Sequence, residues 1–172
     1  MPFPIGHGLV GATLYTTTQP RISLETHGRM LWLCAALAIA PDIDFSFEWI
    51  FHSRGWHRGF THSFVFGIGL GLVAAWLAPA RNRREFFGLL AASVSHAPLD
   101  GLVTHTGTGV ELLWPFTSHR FQLGFFDYFY FGFDPRFDPW LDILAVLLKV
   151  SLIELLVAGP IFLFILSKKR AH

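Results

Sequence analysis

Apolar residues along the chain fall into five runs separated by polar or proline-containing breaks. The first, Ile5 to Tyr15, holds His7 as its sole ionisable side chain and is shorter than the roughly 20 residues a bilayer crossing needs. Residues 16 to 29, with Pro20, Arg21, Glu25, His27 and Arg29, predict a loop with at most one helical turn. Met30 to Ala40, about eleven residues, predicts a buried or partly inserted helix. Pro41 should end it, because the residue before a proline avoids helical geometry. Phe45 to Trp56 is aromatic-rich, carries Glu48, His52 and Arg54, and reads as interfacial.

Thr61 to Ala80 is long enough for a transmembrane helix, with Gly67, Gly69 and Gly71 permitting close approach of a neighbour. Pro79 and the arginines Arg81, Arg83 and Arg84 close it. Phe86 to Val103 predicts a helix returning antiparallel after this short connection, kinked by Pro98. Residues 106 to 138, rich in Gly, Pro and Phe, read as an extramembrane or surface-lying loop. Trp140 to Leu166 is a second spanning candidate, interrupted by Lys149, Glu154 and Gly159-Pro160 and followed by Lys168-Lys169-Arg170.

Composition turns these runs into a membrane protein. Of 172 residues, 52% are hydrophobic and only 15% charged, far from the balance of a soluble domain. The length fits one domain, residues 1 to 172, and the pattern predicts an all-α fold. A net charge of +1 gives no basic field, so nucleic acid has no electrostatic support as a partner. Cys34 is the single cysteine, which excludes a disulfide framework or cysteine-based zinc site within one chain. The N-terminus lacks the basic region of a signal peptide, which predicts membrane entry through internal segments. By the positive-inside bias, Arg81, Arg83 and Arg84 share the cytoplasmic side with Lys168, Lys169 and Arg170.

Three polar clusters stand in this apolar sequence: Pro41-Asp42-Ile43-Asp44, the stretch His57-Arg58-Gly59-Phe60-Thr61-His62-Ser63, and Ser95-His96-Ala97-Pro98-Leu99-Asp100. Burying such groups is costly unless they are paired or hold a cation. His96 and Asp100 are four apart and share a helix face, and an antiparallel hairpin brings them to the height of His62. Asp42 and Asp44 follow a helix C-terminus, where a carboxylate is unfavourable without a compensating cation; the plainer reading is a solvated Asx turn. His7 reads equally as a packed side chain or a ligand. His7, Asp42, Asp44, His57, His62, His96 and Asp100 together make seven candidate ligands, enough for two divalent ions with one bridging carboxylate. Such a site activates water for phosphoester displacement, and Arg58 would either clamp a phosphate or snorkel to headgroups. Thr61 and Ser63 read as helix N-caps.

These three clusters, followed by Gly109-Val110-Glu111-Leu112-Leu113-Trp114-Pro115-Phe116, resemble the YdjM-like family of bacterial inner-membrane proteins, described as metal-dependent hydrolases. The resemblance covers roughly residues 5 to 120. More distantly, the family is similar to the zinc-dependent phospholipases C and single-strand nucleases. That likeness implies ligation by His7, Asp42 or Asp44, His57 or His62, and the His96/Asp100 pair with Asp100 bridging. His105, Glu111 and His119 are the downstream candidates.

The expectation is a multi-pass helical protein of the bacterial inner membrane, with transmembrane or re-entrant helices packed around a His/Asp site. That site would hold one to three divalent ions, Zn2+ or Mn2+, with Arg58 and Asp100 as catalytic groups. The substrate would be a phosphoester such as a phospholipid or lipid-linked phosphate. A scaffold with a structural metal or hydrogen-bonded polar core, or a metal-ion transporter, would use the same residues differently.

Overall fold

The computed structural model describes residues 4–51, 57–78, 80–103, 109–124 and 139–170. The described residues form helices and loops, with only two isolated β-bridges and no sheet. The helices are α1 (Pro4–Thr18), α2 (Leu24–Ile39), α3 (Phe45–Ile50), α4 (Phe64–Leu77), α5 (Arg83–Val94), α6 (His96–Val103) and α7 (Trp140–Lys169).

Helix α1 is the central element, packed against α2, α5 and α7. It can be central because small residues line it: a Cβ on Gly11 would meet the Cys34 carbonyl oxygen at 2.5 Å and the Ala38 Cβ at 2.7 Å. The core around it joins Ala12 and Tyr15 to Leu31, Cys34, Leu37, Leu89 and Ala92. Helices α4 and α5 form the expected hairpin, along a seam of two of the three glycines. A Cβ on Gly67 would meet the Ser93 carbonyl oxygen at 3.0 Å and one on Gly71 the Leu90 Cδ2 at 2.9 Å, whereas Gly69 faces open space.

Two segments, Leu24–Phe47 and Trp140–Lys169, are helical, long and apolar enough to cross a membrane. The first corrects the expected eleven-residue helix. Helix α2 starts at Leu24 inside the predicted loop, and Pro41 does not stop the rod. It occupies the start of a 3-10 turn, Ala40–Asp44, where its missing N–H costs nothing, and α3 follows at once. The expected span from Thr61 to Ala80 shortens to the 14 residues of α4, because Phe60–His62 is a separate 3-10 turn and Ser63 caps α4 by accepting from Phe66 N at 3.1 Å. Pro79 lies outside the described residues. The helix expected from Phe86 to Val103 breaks at Ser95, which puts Pro98 in the first turn of α6, where its missing N–H is tolerated.

The polar ends sort themselves. Ile22 N donates to the Lys169 carbonyl at 2.6 Å, Lys169 Nζ donates to the Gln19 carbonyl at 2.8 Å, and Gly88 of α5 abuts Tyr15 and Thr18. The C-termini of α1 and α7 and the N-termini of α2 and α5 therefore share one end. Arg83, Arg84, Lys168 and Lys169 all lie there, so the two basic clusters share one end of the bundle. His7, near the start of α1, and Asp42, beyond the C-terminus of α2, both lie toward the opposite end of the bundle.

Candidate metal centre

Five elements deliver the polar clusters to one place: the start of α1 (His7), the 3-10 turn after α2 (Asp42, Asp44), the stretch before α4 (His57, Arg58, Thr61, His62) and α6 (His96, Asp100), with α2 adding the Ala38 carbonyl. Asp42, His62, His96 and Asp100 each offer a ligand atom, all within 4.8 Å of one another, and Asp44, His57 and His62 form a second such group.

The hydrogen bonds fix the histidine tautomers. His96 Nδ1 lies 2.7 Å from the Ala38 carbonyl oxygen, an acceptor, so it carries the proton and Nε2 keeps a lone pair when the ring is neutral. His62 Nδ1 lies 3.2 Å from Asp44 Oδ2 and 3.1 Å from Thr61 Oγ1. Thr61 spends its own proton on Asp44 Oδ2 at 2.5 Å, so both neighbours of His62 Nδ1 accept and that nitrogen donates. The remaining nitrogens, Nε2 of His62 and of His96, face each other at 2.9 Å. Two lone pairs at that distance repel unless a proton or a cation stands between them.

Carboxylates close the site. Asp100 Oδ2 is 3.3 Å from His62 Nε2, and Asp42 Oδ1 is 3.4 Å from His96 Nε2 and 3.6 Å from His62 Nε2. Asp42 Oδ1 is buried and, apart from these long contacts with the two imidazoles, has no hydrogen-bond partner among the described residues, as expected of an atom that a ligand could engage. Three carboxylates against the single guanidinium of Arg58, whose Nε is 3.7 Å from Asp100 Oδ2, leave an excess of negative charge that one divalent cation balances. Burial pulls the His62 pKa down, but its hydrogen bonds to Asp100, Asp42 and Asp44 outweigh this and push it up to about 10. For Asp100 burial acts upward, and the bonds to His62 and His7 hold it well below the usual carboxylate range. His7 goes the other way: burial lowers its pKa despite the Asp100 contact. The donor set therefore fits a divalent metal.

The remaining candidates surround this group. His7 Nε2 contacts Asp100 Oδ1 at 3.1 Å and its ring stacks on His96 with centroids 4.0 Å apart. His57 Nδ1 contacts Asp44 Oδ1 at 2.7 Å. Arg58 adopts a left-handed backbone, φ 65°, rare for a non-glycine, and is held from both sides: its N donates to Asp44 Oδ2 at 3.2 Å and its carbonyl accepts from Glu111 N at 3.2 Å. Thr61 is thus not the N-cap expected; it orients Asp44, while Ser63 is the cap. Among the downstream candidates, the Glu111 side chain pairs with Arg120 at 3.1 Å and His119 is exposed beside Phe121. His105, His52, Arg54 and residues 125–138 lie outside the described residues. The Ala38 carbonyl carried no side-chain signal in the sequence.

The site is closed on most sides, with Asp100 and His62 fully buried, while the side chains of Asp42 and His57 are each 12% exposed. Ile43, next to Asp42, and Phe45, whose ring centroid lies 3.8 Å from that of His57, are exposed apolar side chains.

The chain matches the family described as YdjM inner membrane protein over residues 1–167. It is similar to the inner membrane protein YbcI of Escherichia coli K12, 36% identical over 100 residues that cover 54% of this chain and 57% of that protein. The chain thus spans little more than half the length of that curated relative. No solved structure matches.

Proposed function

Because the chain belongs to the YdjM inner membrane protein family, a multi-pass inner-membrane location follows, and we propose that it is a membrane-bound metal-dependent hydrolase acting on a phosphoester. The observation that carries this reading is the convergence of His62 Nε2, His96 Nε2, Asp42 Oδ1 and Asp100 Oδ2 on one buried point. All-nitrogen-and-oxygen donors suit zinc or manganese. Asp44 serves as the outer partner of His62, so the second ligand group shares a histidine already engaged. Asp100 turns Oδ2 to His62 and Oδ1 to His7, so Oδ2 would be the oxygen available to an ion while His7 would hold the other.

A bound divalent ion supplies Lewis acidity and lowers the pKa of a coordinated water. The chain's residues supply the rest. Ala38 and Asp44 fix the two imidazoles, Thr61 fixes Asp44, and Arg58, held in its strained backbone, presents a guanidinium that can pair with phosphate oxygens. The partial exposure of the Asp42 and His57 side chains supports access from that side, which a catalytic site needs. The exposed apolar side chains of Ile43 and Phe45 favour a phosphoester carried on a lipid, entering from the membrane.

Elemental analysis of the detergent-solubilised protein tests the reading, with His57→Ala and Asp100→Ala alongside. One or two equivalents of zinc or manganese, lost on substitution of Asp100, and turnover of lipid phosphoesters by the wild type support it. Stoichiometric metal with no hydrolysis across a phosphoester panel supports a structural site instead, and absence of metal under replete conditions overturns both.

A further inference from the structure

The last helix reaches the site through one charged group. Glu154, mid-way along the apolar α7, is 5% exposed, and an acid inside a spanning segment is costly enough that its partner is informative. Its Oε2 accepts from Gly6 N at 2.8 Å, in the first turn of α1. That turn leaves its N–H groups without intrahelical acceptors and presents the positive end of the helix dipole, so a carboxylate there binds by hydrogen bond and by charge. The next residue is His7, whose Nε2 meets Asp100 Oδ1 and whose ring stacks on His96. Helix α1 carries no other charged side chain to hold it in register.

We propose that Glu154 is a positioning residue: by binding the Gly6 amide, it sets the height and rotation of the first turn of α1 and so holds His7 against Asp100 and His96. The inference rests on the reading of His7 and Asp100 as parts of the metal site. Gly6 is the complement of Glu154, because a Cβ there would lie 2.7 Å from Glu154 Oε1 and displace the carboxylate. Glu154→Ala and Gly6→Ala therefore break the same contact from opposite sides, and the second leaves the acid in place.

The test is Co2+ binding to the full-length, detergent-solubilised protein, read as affinity and as the visible absorption of the bound ion, with His7→Ala as reference. Glu154→Ala and Gly6→Ala should each weaken Co2+ binding about 10- to 100-fold and shift the absorption bands toward those of His7→Ala. Glu154→Gln, which keeps an acceptor, should retain wild-type bands. A general loss of stability would not move the bands of the folded, metal-loaded fraction. Wild-type affinity and bands in both Glu154→Ala and Gly6→Ala, with His7→Ala altered, would overturn the positioning role alone. An unaltered His7→Ala would remove its premise. Failure of Glu154→Ala to fold leaves Gly6→Ala to decide.

Discussion

His96 Nδ1 donates to the carbonyl of Ala38 at 2.7 Å, and this one bond decides that His96 turns Nε2 toward the carboxylates. The same logic governs His62 and Asp44, so one backbone carbonyl at the end of α2 and one carboxylate specify the tautomers of the two central imidazoles. Replacing His96 with alanine should abolish stoichiometric metal in elemental analysis while the protein still elutes as a folded species in detergent. Retention of the full metal content would remove His96 from the site.

Asp44 and Asp100 should separate by size of effect. Asp100→Ala removes a proposed ligand, so metal and hydrolysis should vanish together. Asp44→Asn leaves the central ligands in place but loses the charged partner of His62 and His57, and should weaken metal binding about 10- to 100-fold. Titration with zinc against a competing chelator measures both.

Thr61 and Ser63, two hydroxyls of one motif, should likewise part company. Ser63→Ala removes the cap of α4 and should cost about 1 kcal/mol of thermal stability with metal affinity unchanged. Thr61→Val removes the donor to Asp44 and should lower metal affinity as well as stability, the latter by about 1–3 kcal/mol. Equal metal affinity in the two variants would count against Thr61 orienting Asp44.

The metal-free site should hold a proton on His62, whose pKa is pushed up to about 10. A metal that takes Nε2 must displace that proton. Below the raised pKa, affinity should therefore fall as pH falls, by about tenfold per pH unit for one released proton. Isothermal titration in buffers of different ionisation enthalpy between pH 6 and 8 would count the protons, and zero release would contradict the assignment.

The glycine seam gives a test of packing away from the site. Gly67→Ala would press a Cβ onto the Ser93 carbonyl and should destabilise by about 1–3 kcal/mol, whereas Gly69→Ala meets nothing and should be neutral or slightly stabilising. Thermal unfolding in one detergent compares the two directly.

The helical architecture, the α4–α5 hairpin and the convergence of the three clusters were legible because they follow from hydropathy and from the i, i+4 spacing of His96 and Asp100. The path at Pro41 was not. A proline before two acids reads as a stop, and only the 3-10 turn turns it into a continuation that makes Leu24–Phe47 a full crossing. The role of Thr61 was hidden for a related reason: a hydroxyl ahead of an apolar run looks like a cap, and its bond to Asp44 joins residues 17 apart that only the tertiary fold brings together. Ala38 acts through its backbone, which every residue possesses, so no residue type could signal it.

Helices α1 and α7 are neighbours, joined where Lys169 Nζ reaches the Thr17 carbonyl and again where Gly6 meets Glu154, 148 positions apart. During synthesis this sets an order of events. Helix α1 is made well before α7, so its contacts with α7 can form only once α7 has emerged from the ribosome, and closure of this long loop comes after the local contacts. The aspartates and imidazoles of the middle helices are made before His7 can be fastened beside them. The clasp between Gly6 and Glu154 can thus close only after the elements that carry the aspartates and the other imidazoles have been made.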